Sequence, residues 1–130
     1  MFRKTSKPYK VCQDKTMELR NKWVPSILAG LEFSDKVIVN TYTFYAVNQH
    51  KGRCSYRRKL ILIPTWVWRN EKELTWYVAH EIAHIFAYDD NHGPKFMEQL
   101  KRICPSDVIH YELNYKPRNA SSAGISREVS

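Results

Sequence analysis

Nowhere in this 130-residue chain does an apolar run approach the ~20 residues that a bilayer-spanning helix needs, so no membrane partner is expected. The basic N-terminus is not followed by an apolar stretch of the kind a secretory signal carries. The expected compartment is therefore the cytoplasm, or a nucleoid or host cytoplasm for a virus-encoded chain. Cysteine is scarce: Cys12, Cys54 and Cys104 stand far apart, with no C-x-x-C pair among them. That spacing excludes a Cys-ligated zinc ribbon and a disulfide framework, and leaves free thiols in a reducing environment. No internal repeat is present. With 43% hydrophobic and 26% charged residues, what is left is the composition of one ordinary globular domain.

Acid is also in short supply. Thirteen Asp and Glu face 21 Lys and Arg, for a formal charge of +8. The cations cluster at Arg3-Lys4, Lys7 and Lys10, at Lys51, Arg53 and Arg57-Arg58-Lys59, and at Lys101-Arg102. Such a surface attracts nucleic acid or acidic protein without specifying which.

Residues 1–10 read as a flexible basic arm, 11–115 as the folded domain, and the Ser/Asn/Ala-rich segment 116–130 as a disordered tail. From Gln13 to about Leu31 the apolar positions recur at helical spacing, interrupted by Pro25. Lys36 to Val47, rich in β-branched and aromatic residues, reads as one long strand or two short ones. Arg58 to Ile63 reads as another, closed by Pro64. A helix from about Glu71 to Tyr88 has Asn70 as N-cap and Glu73 three residues on, a variant capping box. Pro94 then opens a second helix that runs to about Cys104.

The first of these two helices carries His80-Glu81-Ile82-Ala83-His84, an H-E-x-x-H pattern. Four residues advance a helix by ~400°, so both imidazoles project from one side, one turn apart. They are spaced to reach a single zinc ion, with Glu81 on the neighbouring flank as a base rather than a ligand. A catalytic zinc takes a third protein donor. His92, eight residues after His84 and followed by Gly93-Pro94, is best placed, since a chain reversal there would return it to the metal. Asp89, Asp90, His50 and His110 are weaker alternatives. Tyr111 and Tyr115 are candidate oxyanion donors, although rim packing is the commoner role for such tyrosines. Trp66, Trp68 and Trp76 could stack unpaired bases, but core packing suits them better.

Taken together, His80-Glu81-Ile82-Ala83-His84 and His92-Gly93-Pro94-Lys95-Phe96 resemble the signature of the SprT-like metallopeptidases, the group that includes the Spartan protease. The resemblance spans roughly residues 15–110, including a Gly52-Arg53-Cys54 turn before the Arg58 strand. It implies zinc on His80, His84 and His92, Glu81 as catalytic base, and Phe96 as packing behind the third ligand. The implied fold is α+β and zincin-like: an N-terminal helix, a short antiparallel sheet, then two metal-site helices. It also implies a protein or peptide substrate, with nucleic-acid-associated proteins suited to the positive charge. The sequence departs from many family members in having no four-Cys set, so DNA tethering through such an appendage is not expected.

Two rival enzymes fit less well. YbeY-like endoribonucleases use three histidines without the Glu and with a shorter second gap. Peptide deformylases carry H-E-x-x-H with an upstream Cys ligand, for which Arg53-Cys54-Ser55 is a poor match. The non-enzymatic alternative is a nucleic-acid- or partner-binding module whose zinc is structural; it requires a fourth protein ligand, for which Cys104, His110 or Asp89 would have to serve.

Overall fold

In the computed structural model, residues 10–88 and 90–115 are described. The proposed arm up to residue 9, the 116–130 tail and Asp89 lie outside them. The elements run α1 (Gln13–Glu18), a π-helical stretch (Leu19–Trp23), α2 (Val24–Leu28), α3 (Phe33–Val39), β1 (Thr43–Val47), β2 (Arg53–Ser55) and β3 (Leu60–Pro64). A 3-10 segment (Thr65–Arg69) follows, then α4 (Glu71–Phe86), α5 (Pro94–Ile103) and α6 (His110–Asn114). The class is mixed α+β. No described helix is long and apolar enough to cross a membrane.

Pro25 does not break the first helical run. It has no N–H to donate and crowds the carbonyl one turn back. The widened π turn just before it absorbs the mismatch, and Pro25 sits in the first turn of α2. Leu19, Trp23, Val24, Ile27 and Leu28 then stay on one buried face, in the same apolar cluster as α4.

The sheet is mixed rather than antiparallel. Its order is β1-β3-β2, with β1 parallel to β3 and β2 antiparallel to it. The central strand is β3, buried along its whole length as Leu60-Ile61-Leu62-Ile63-Pro64, which is how a strand covered on both faces reads. The outer edge of β1 is closed by residues 10–12, through a Val11–Val47 bridge and the 2.8 Å bond from Cys12 N to Ala46 O. At the opposite margin, β2 is the edge strand.

Three local expectations are corrected. Residues 36–39 belong to helix α3, not to a strand that runs on to Val47. Only Val39 of α3 is buried, and Val37 and Ile38 face outward, so the inside–outside alternation of a strand is missing. Gly52-Arg53-Cys54 is not a turn, because Arg53 and Cys54 begin β2, pairing with Leu62 and Ile61. The following strand starts at Leu60 rather than Arg58, since Lys59 takes a left-handed φ of 54° within the connecting turn.

Candidate metal centre

Helix α4 is buried on nearly every side. Asn70 caps it as expected, its Oδ1 accepting from Lys72 N at 2.9 Å and Glu73 N at 3.4 Å. The Glu73 carboxylate does not reach back to complete the box; it takes two bonds from Arg69 instead. Farther along, His80, Glu81 and His84 have no solvent-exposed surface.

The return of the chain to this helix is built from local bonds. Ala87 N donates to His84 O, Asp90 N to Ala87 O, and Gly93 N to Asp90 O. In the middle of the reversal His92 adopts φ 66°, a left-handed conformation that histidine enters more readily than most side chains. The Asp90 carboxylate accepts from Phe96 N at 2.9 Å in the first turn of α5. A Cβ at Gly93 would overlap that carboxylate, so any larger residue there would displace it. Asp90 therefore secures α5.

These turns bring His80, His84 and His92 together, with one ring nitrogen from each lying within 4.8 Å of the others. His80 Nε2 and His92 Nε2 stand 3.4 Å apart. Two nitrogens ~2.0–2.1 Å from one tetrahedral ion would be separated by about 3.4 Å, so the spacing fits zinc. Phe96, fully buried, stacks on His84 at 4.4 Å and packs edge-on against His80 and His92. His50 and His110 are both exposed, while Cys54 lies in β2 and Cys104 caps α5; none belongs to the grouped donors.

Beside the histidines, both oxygens of Glu81 are buried without a hydrogen-bond partner among the described residues. Burial is the main cause that pushes this carboxyl up to about 8; His80 opposes the rise and Glu112 adds to it. A cation held by the histidines would stabilise the ionised form, so the donor set and the orphaned carboxylate fit a metal site together. Gly52 lies against Glu81 so closely that a Cβ would stand 2.7 Å from Glu81 Oε2, Leu62 O and Tyr77 Cε1.

Two contributors escaped the sequence. Glu112, on α6, accepts from His80 Nδ1 at 2.7 Å and Trp76 Nε1 at 2.8 Å, both on Oε1. Burial alone would raise its carboxyl, but those bonds and the nearby His80 and His92 rings outweigh burial and hold it below the usual range. Tyr56 donates to His84 O at 2.6 Å, tying the end of α4 to the residue after β2. Neither had a spacing signal; only proximity in the fold reveals them.

The tyrosine candidates separate. Tyr115 packs 5.7 Å from the His80 ring and its hydroxyl hydrogen-bonds that of Tyr77, which in turn accepts from Gly52 N. Burial raises the Tyr115 pKa; the Tyr77 bond opposes this, while the Glu81 and Glu112 fields reinforce it, so the hydroxyl stays protonated. Tyr111 instead stacks on Trp76, and its hydroxyl meets Asn70 at the far end of α4. Trp76 is core, whereas Trp66 and Trp68 are half-buried and bonded to His50 O and Glu18. Comparison with protein-family models, with curated proteins and with solved structures found no match.

Proposed function

We propose that this chain is a zinc-dependent metalloendopeptidase of the SprT-like type, hydrolysing peptide bonds with an activated water. One observation carries the proposal: three converging imidazoles lie beside a fully buried carboxylate that accepts no hydrogen bond from the described residues. A pocket needing only to be stable would place an apolar side chain at position 81.

His80, His84 and His92 are the residues that would hold the metal. Bound there, zinc supplies a Lewis acid that acidifies water and polarises a carbonyl. Glu81 takes the proton of the attacking water on a carboxylate oxygen and hands it to the departing amine. Tyr115 is the candidate donor to the developing oxyanion, its ring packed against His80 and its hydroxyl bonded to that of Tyr77. The edge strand β2, next to Gly52 and Glu81, suits an extended peptide held by main-chain pairing. The net positive charge favours substrates that sit on nucleic acid.

The alternative is a binding module with a structural zinc. Structural sites use four protein donors, and the grouped donors among the described residues number three. Metal analysis combined with a cleavage assay separates the readings. Wild type and Glu81→Gln are incubated with a basic protein bound to DNA, with and without added single strands. Both should carry zinc, and Glu81→Gln should cleave roughly 10²–10⁴-fold more slowly. Equal cleavage by the two forms, or a wild type that takes up no zinc, would overturn the proposal.

A further inference from the structure

We infer that Glu112 is the positioning residue for His80, and that through it metal binding and the docking of α6 stabilise each other. The inference rests on the reading that the three histidines hold a metal.

Histidine has two ring nitrogens, and a metal can use only one that carries no proton. A carboxylate facing Nδ1 decides the matter, because it accepts and never donates when ionised. Glu112 Oε1 lies 2.7 Å from His80 Nδ1, so the proton is on Nδ1 and the lone pair is on Nε2. That nitrogen is the one 3.4 Å from His92 Nε2. Trp76 Nε1 donates to the same Glu112 oxygen and holds it in place from one helical turn before His80.

The carboxylate comes from an element with little other reason to be there. Helix α6 has five residues, none of them buried, and Leu113 is 75% exposed. Its contacts with α4 include the Glu112 clamp, the Tyr111 ring on Trp76 and the Tyr111 hydroxyl at Asn70, with Tyr115 just beyond. Placing a carboxylate with 10% of its side chain exposed against a buried ring is unfavourable unless its donors are in position. A metal on Nε2 draws electron density from the ring and makes Nδ1–H a stronger donor to Glu112. By reciprocity, whatever metal binding adds to the clamp, the clamp adds to metal binding.

Zinc affinity, measured by chelator competition, and hydrogen exchange of residues 105–115, with and without zinc, test this. Wild type, Glu112→Gln, Glu112→Ala and Trp76→Phe are compared, and circular dichroism identifies the variants that fold. Glu112→Ala should bind zinc roughly 10–100-fold more weakly. Glu112→Gln keeps an acceptor oxygen without the charge and should fall between, with a changed visible spectrum when loaded with cobalt. Trp76→Phe should lose less than Glu112→Ala. Zinc should slow exchange in α6 of the wild type and not of Glu112→Ala. The inference fails if folded Glu112→Gln and Trp76→Phe bind zinc as tightly as the wild type with unchanged cobalt spectra. A wild type that binds no zinc removes the metal reading itself, and this inference with it.

Discussion

Two glutamates lie beside the histidines of α4, one on the helix and one reaching it from α6, and their surroundings differ in nearly every respect. On the side facing β2, Glu81 lies against Gly52 and accepts no hydrogen bond from the described residues. On the side facing α6, Glu112 accepts from an indole and an imidazole. Burial drives the first carboxyl toward protonation; donors hold the second ionised. Environment alone divides identical side chains into a group suited to moving a proton and one suited to holding a ring still. The two glutamine variants described above sharpen this contrast: Glu81→Gln should lose turnover at constant zinc, and Glu112→Gln should lose zinc affinity.

The largest further effect is expected at the third histidine, His92. Taking one donor of three as a third of the ~10–16 kcal/mol typical of zinc binding, His92→Ala should weaken affinity by roughly 10²–10⁴-fold. Equilibrium dialysis would measure it, and an unchanged affinity would dissolve the comparison. Next comes Gly52→Ala, which presses a methyl on Glu81 and on the Leu62 carbonyl, a backbone atom that cannot swing aside. Overpacking of this kind costs typically 1–3 kcal/mol, seen as a lowered melting temperature. Turnover should fall more than zinc affinity, because the strain is on the Glu81 side. The smallest effect belongs to Asn70→Ala, which removes the cap of α4 and should cost ~1 kcal/mol of stability. Since that cap lies at the other end of the helix, zinc content should be unchanged in the folded protein.

Much of the site was legible because its members are close in sequence. His80, Glu81 and His84 share one helix with a readable cap, and His92 lies within a turn whose Gly93-Pro94 pair announces a reversal. Glu112 was not legible. It reaches His80 from a helix too short to show a period, after a connection that fixes no spacing. The sheet illustrates the same limit. The apolar run of β3 was visible, but nothing local specifies that β1 pairs beside it in parallel, since that partner is chosen across an intervening strand. Residues 36–39 misled because β-branched side chains fit a strand by preference only, and the way α3 lies on the surface overrode it.

The bond from the Tyr56 hydroxyl to the His84 carbonyl joins the sheet's open margin to α4, on the flank where Gly52 meets Tyr77 and Glu81. On the proposed peptidase reading it would act as a ruler, indexing a polypeptide laid along β2 to the three histidines. Tyr56→Phe should leave the scissile chemistry intact while spreading the cuts over neighbouring bonds, which mass spectrometry of the products would resolve.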